Sequence, residues 1–556
     1  MDDPLRIGAN VVDYVLVLAY FTVVLLVGLA ARRRVSGSLD FFLSGRSLPA
    51  WITGLAFISA NLGAVEIIGM SANGAEYGMP TVHYYWIGAI PAMLFLGVVM
   101  MPFYYGSKVR SVPEFMRRRF GTGAHLVNAI SFALAQILIA GINLFLLATV
   151  VNSLLGWPLW VALILAAAIV LSYITLGGLS AAIYNEVLQF FVILAALLPL
   201  TLIGLHRVGG VGGLIDRVTA SVGGAEQLRS WPGNELSGFA NPVLSVIGIV
   251  FGLGFVLSFG YWTTNFVEVQ RALATSSMSA ARSTPIVASF PKMFIPFIVV
   301  IPGMIAGVLV PEVMRLKAGD QAAGVTYNDS ILLLIRDVLP NGLLGVALAG
   351  LLAAFMAGMA ANISAFNTVF SYDLWQQYVR KDRPDDYYVK VGRWATVGAT
   401  VLAIGTAFIA AGYGNLMNYL QTLFGFFNAP LFATFILGIL WKRMTATAGW
   451  VGLVSGTLGA IAVWLANEFG AIDLPGQGAA FLSAGVAFVV DITVSVLVTL
   501  VTSPKPASEL SGLVLSETPK ALRTDPAASR LPWYRAPTKL AGISLVLVTV
   551  LNVIFR

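Results

Sequence analysis

The chain contains no cysteine and only three histidines, His83, His125 and His206, in 556 residues. Disulfides and thiolate-held metals are therefore excluded, and the scattered imidazoles are too few for a metal centre. Charge is scarce too: 11% of the residues are charged, against roughly 25% in a soluble domain. No GxxxxGK[ST] pattern is present to cradle ATP phosphates. No nucleophile–base or metal-ligand constellation marks an enzyme.

What the chain has in abundance is apolar length. It is 58% hydrophobic with a mean hydropathy of +0.85. Runs of about 20 apolar residues mark membrane-spanning helices. Fourteen can be read, at 12–31, 50–72, 81–103, 126–151, 157–176, 180–205, 241–266, 286–311, 341–371, 391–411, 415–440, 447–466, 479–502 and 539–555. These predict an all-α polytopic membrane protein. The first span, followed by Arg32-Arg33-Arg34 without a small-residue cleavage site, reads as a retained anchor.

The net charge of +7 does not point to nucleic acid, because the basic residues choose one side. Alternate loops, with the ends of their flanking helices, carry 24 of the 33 Lys and Arg. The positive-inside rule places those loops in the cytoplasm and both termini outside, as in a multi-pass plasma or inner membrane protein.

The span from Ile52 to Met70 is interrupted at its centre by Ser59-Ala60-Asn61-Leu62-Gly63-Ala64-Val65-Glu66. Unsatisfied backbone is tolerated at that depth only where it lines a protein cavity. An intramembrane carboxylate is by default a functional-site candidate. A second weakened span carries Gly252, Gly254 and Gly260, then Trp262-Thr263-Thr264-Asn265. Paired interrupted helices at corresponding positions point to the midplane site of a secondary transporter. The glycines alone would equally serve close helix packing.

Spans two to six and seven to eleven form two blocks of five, the second necessarily inverted relative to the first. The expected organisation is 1–49, an extra helix and cytoplasmic loop; 50–205, the first block; 206–240, an outward Gly-rich loop; 241–440, the second block; and 441–556, additional helices with a basic cytoplasmic loop at 503–538. Neither long loop shows periodicity strong enough for a domain.

Other polar residues have two readings each. Lys292 either snorkels to the interface or enters the site, where it could donate to a hydroxyl, hold a carboxylate or pair with Glu66. Glu186, sharing a helix face with Gln189, either binds a cation or proton or is solvated at the interface. Asn362, Ser364, Asn367 and Thr368 either glue helices or line a site, and Gln421 is equally open. Tyr84, Tyr85 and Trp86 either stack on a ligand or belong to an aromatic belt.

Several ordered motifs from about residue 12 to 502 resemble the sodium:solute symporter family, nearest its sugar-transporting branch. They include Asp40-Phe41-Phe42-Leu43-Ser44-Gly45-Arg46, Ser59-Ala60-Asn61, Ile68-Gly69-Met70-Ser71, Val112-Pro113-Glu114-Phe115, Gly177-Gly178-Leu179, Gln270-Arg271-Ala272-Leu273-Ala274 and Trp441-Lys442-Arg443. The resemblance implies a LeuT-like core of two inverted five-helix repeats and ion-driven uptake by alternating access. Asn61, Asn265, Lys292 and Gln421 fall where galactose-transporting members have the same residue types. Glu66 stands where they have glutamine, and Tyr85 where they have a sugar-binding glutamate. The implied substrate site is therefore Asn61, Glu66, Tyr85, Asn265, Lys292 and Gln421, with a sugar or polyol as solute.

For the coupling cation, the resemblance implies backbone oxygens of Ser59, Leu62 and Ala354. The family's two hydroxyl positions align with Ala357 and Gly358, which carry no side-chain oxygen. Glu186 matches an aspartate linked to a second cation position. Sodium is the expected ion, with protons as the alternative. No cofactor, ATP or nucleic acid is expected. The rivals are a carboxylate or amino-acid symporter with Lys292 as anion partner, and a sensor that binds a solute without moving it.

Overall fold

A computed structural model describes residues 7–32, 38–231, 234–320, 324–474, 476–523 and 531–556. Arg33, Arg34 and part of the 503–538 loop lie outside the described residues. Among the described residues, twelve helices are long and apolar enough to cross a membrane. The bent pair Ala50–Asn61 and Ala64–Tyr77 makes a thirteenth if taken as one span, and the shorter apolar helix Leu159–Ser172 lies where a fourteenth was expected. No strand forms among the described residues; one isolated parallel bridge joins Leu48 to Thr275.

The core is built around the helix Leu343–Thr368, rich in Ala and Gly. Small residues let backbones approach in lipid, where no hydrophobic effect drives helices together. Its glycines each meet a different neighbour. A Cβ at Gly350 would stand 2.2 Å from Ala196, at Gly345 2.6 Å from Asp13, and at Gly358 2.7 Å from Asn143 Oδ1. Asp13, fully buried in the first helix Val11–Arg32, accepts from the backbone of Gly342 and Gly345 at 2.7 Å each. A carboxylate there satisfies orphan amides and the positive end of the helix dipole. The last span, Pro537–Ile554, is by contrast only 22% buried.

The two spans expected at 157–176 and 180–205 form one helical stretch, Leu159–Val208, kinked at Gly178, whose φ is +56°. Only glycine adopts that conformation without strain. Part of the 206–240 loop is helical, Gly210–Ala220, with Leu214 and Val218 buried. Its three glycines, Gly210, Gly212 and Gly213, hide the apolar period in the sequence.

The helices Ala64–Tyr77 and Pro296–Leu309 cross in near backbone contact, because a Cβ at Gly303 would fall 2.0 Å from the Ser71 carbonyl oxygen. Gly303→Val is therefore expected to exceed the roughly 1–3 kcal/mol usual for overpacking, read as a lowered unfolding temperature of the purified protein.

Candidate functional site

The first broken span stops its hydrogen-bond ladder at Leu62, whose N–H reaches the Ile58 carbonyl at 2.7 Å. Leu62 and Gly63 leave helical geometry, and the two halves meet at 57°. Glu66 lies in the first turn of the second half, at its positive end. The second broken span stops at Asn265, in extended conformation between Phe259–Thr264 and Phe266–Leu273. The Asn265 Oδ1 caps the new helix at Val267 N, 3.0 Å away. Gly252 and Gly260 are packing positions against Phe481 and the Asn428 backbone. The polar run, not the glycines, makes the break.

Between the breaks lies a cavity of about 100 Å³ whose lining includes all six expected substrate-site residues, Asn61, Glu66, Tyr85, Asn265, Lys292 and Gln421. Lys292 is 1% exposed, so it does not snorkel. It donates to Asn61 Oδ1 and forms an ion pair with Glu66. Its ammonium stands 5.1 Å from the Tyr85 ring centre and 5.4 Å from that of Trp262, within cation–π range. The Asn61 amide donates to the Tyr261 hydroxyl at 3.0 Å, which donates to Glu268 Oε1 at 2.8 Å. Among the described residues, Gln421 has only the weak acceptor Met417 Sδ at 3.3 Å, leaving its amide available to a ligand.

The other expected residues divide. Asn362 joins the cavity wall, whereas Asn367 bonds Thr396 and Thr368 receives Gln270, both helix-to-helix contacts. Trp86 is buried and donates to the Met293 carbonyl, so it is not in an aromatic belt.

The expected cation residues gather where the first break crosses the long helix. Ser59, Leu62, Ala354 and Ala357 are fully buried, and a Cβ on Gly63 would lie 3.2 Å from Gly358 Cα and 3.7 Å from the Ala354 carbonyl oxygen. Asn143, from the helix Thr122–Leu155, closes this crossing with an Oδ1 that is buried and has no partner among the described residues. Glu186 lies elsewhere. It is fully buried, which overturns the interfacial reading, and it clamps Arg271 at 2.5 and 3.3 Å. Arg271, read as a cytoplasmic loop charge, is therefore an interior cation.

Sequence reasoning passed over Asn143, Tyr261 and Glu268. The available signal was an amide near the middle of an apolar span, one of three with Asn128 and Gln136, and a carboxylate three residues after the second break.

Two broken helices enclosing a mid-depth polar cavity define a secondary active transporter of the LeuT-like, alternating-access class. The family model described as the sodium:solute symporter family matches residues 41–456, and the chain belongs to that family. It is 30% identical over 464 residues to the sodium/glucose cotransporter of Vibrio parahaemolyticus, covering 81% of this chain and 84% of that protein. It is 29% identical over 471 residues to sodium/myo-inositol cotransporter 2 of Mus musculus, covering 80% and 69%. A solved sodium-coupled sialic acid symporter, substrate-bound and outward-open, shares the fold at TM-score 0.75 and 20% identity, covering 89% of this chain and 98% of that one.

Proposed function

We propose that the chain couples inward movement of sodium to uptake of a neutral, hydroxyl-rich solute, a sugar or polyol. The carrying observation is charge balance: the ammonium of Lys292 is already neutralised by Glu66 inside the cavity. An anionic solute would have to displace that pair at the cost of a buried carboxylate, which disfavours the carboxylate and amino-acid readings. Amides of Asn61, Asn265 and Gln421 suit hydroxyl groups, while Tyr85 and Trp262 offer apolar faces. The glucose and myo-inositol named in the relatives are of this solute class.

Sodium is assigned to the crossing of the first break and the long helix. Backbone oxygens of Ser59, Leu62 and Ala354 would hold it, with Ala357 and Gly358 forming the wall. A hard cation wants several oxygens, and the unpartnered Asn143 Oδ1 supplies the side-chain oxygen that Ala357 and Gly358 lack. Alternating access is assigned to two inverted repeats, 50–205 and 241–440, with both termini outside the cell.

The test is uptake of labelled D-glucose and myo-inositol into proteoliposomes under an inward sodium or an inward proton gradient. Accumulation with sodium is expected. Accumulation with protons alone would reassign the coupling ion, and saturable binding without uptake would favour a sensor. Gln421→Ala and Asn265→Ala are each expected to weaken the apparent affinity of the accumulated solute about tenfold, the loss of one good hydrogen bond. Asn265→Ala also loses a helix cap, roughly 0.5–2 kcal/mol of stability. Unchanged affinity in both variants would remove these residues from the site.

A further inference from the structure

Glu268 is an ionisable group beside the cavity that solute binding leaves unexplained. It lies three residues beyond the break at Asn265, fully buried, with Oε1 accepting the Tyr261 hydroxyl and Oε2 without a partner among the described residues. Both neighbouring cations are engaged elsewhere. Arg271 is held by Glu186, the Val267 carbonyl and Gln270, and Lys292 by Glu66 and Asn61. Of the carboxylates at this corner, Glu66 and Glu186 each have a cation and Glu268 has none.

The hydrogen-bond chain to the cavity has a fixed direction. An ammonium only donates, so Asn61 presents Oδ1 to Lys292 and its NH₂ to Tyr261. The Tyr261 oxygen accepts there, which leaves its own hydrogen for Glu268. The order Lys292, Asn61, Tyr261, Glu268 is thus continuous from the solute site to the uncompensated carboxylate.

The surroundings select the occupant. A buried charge without a partner is costly, and a proton on the open Oε2 removes it. A metal cation would need several oxygens, whereas the side-chain group bonded to this carboxylate is a hydroxyl that points its hydrogen at it. Arg271, Lys292 and Glu186 act on Glu268 electrostatically, and Glu66 stands behind Lys292. Tyr104 bonds the nearby Thr263 carbonyl, and Asp40 lies on the packed short helix Ser38–Leu43. The adjoining helices Ala50–Asn61 and Leu343–Thr368 bring no charged residue.

We propose that Glu268 is a proton-binding site whose occupancy is linked to the solute site through Tyr261 and Asn61. A solute hydroxyl that engages Asn61 or Lys292 redirects the donors feeding Tyr261, and so changes how well the Glu268 charge is stabilised. By reciprocity, protonation changes solute affinity by the same factor. The linkage rests on the sugar or polyol reading above; the proton site itself does not.

The experiment is infrared difference spectroscopy of the full chain in lipid vesicles across acid and alkaline pH, with and without sodium. The expected result is a carboxylic-acid carbonyl band that disappears at alkaline pH and is absent in Glu268→Gln. Should that variant not fold, Tyr261→Phe still decides, because losing the hydroxyl donor must shift the band. D-Glucose or myo-inositol is expected to shift the band in the wild type and not in Tyr261→Phe. Solute affinity should change roughly five- to tenfold with pH, within the usual range of linked sites. No pH-dependent acid band sensitive to either substitution would overturn the proposal. So would a band that sodium abolishes at constant pH, since the occupant would then be sodium. A band indifferent to solutes that the same vesicles accumulate would refute the linkage; if neither solute is accumulated, the sugar reading has failed instead.

Discussion

Arg271→Met is expected to destabilise the protein by about 3–5 kcal/mol, because it strands the fully buried Glu186 carboxylate without its cation. Folded protein recovered from the membrane should fall steeply. The pair joins the second broken helix to the kinked helix Leu159–Val208 across 85 residues of sequence. Arg271 also donates to the Val267 carbonyl and Gln270, so its loss loosens the turn that follows Asn265. Glu186→Gln should cost less, since the amide oxygen still accepts from the guanidinium, and sodium dependence should survive in whatever folds. The check is thermal unfolding of both variants beside sodium-driven uptake by Glu186→Gln. Normal stability of Arg271→Met, or a selective loss of sodium dependence in Glu186→Gln, would return Glu186 to the ion pathway.

Lys292→Met is expected to reduce solute affinity by at least about a hundredfold and to destabilise the cavity as well. It removes a donor from Asn61 and leaves Glu66 uncompensated. Breaking a buried pair costs more than replacing both members, so Lys292→Met combined with Glu66→Gln should regain most of the stability. Solute affinity should remain low in the double variant, because the ammonium is still absent. A double-mutant cycle on unfolding temperature and on solute binding separates the two effects. Equal recovery of both would mean that Lys292 only balances Glu66 and does not contact the solute.

Much of the cavity was legible because lipid makes polar residues conspicuous. Asn61, Glu66, Lys292 and Gln421 stand out in apolar spans where each carries an energetic cost. Their meeting at one cavity is geometry that hydropathy does not encode. The partner of Glu186 was not legible, since Arg271 sits among residues that read as a cytoplasmic loop. Its burial follows from the break at Asn265, which lets the segment Phe266–Leu273 continue inside the protein. Glu268 was missed for the same reason. Asn143 shows the converse: one of four amides in a 34-residue helix, it carries no address until Gly63 and Gly358 make room beside it.

The sequence by itself determined the membrane class, the all-helical fold, the first break and most of the polar residues around the cavity. These follow from local energetics, because burial in lipid penalises charge, amide and unpaired backbone residue by residue. The tertiary structure decided which charges pair, that Glu186 is a clamp and Lys292 a cavity wall, and that Asn265 rather than the glycines breaks the second span. Pairing depends on which helices cross at contact distance, and that is set by small residues such as Gly303 and Gly358 meeting partners hundreds of residues away.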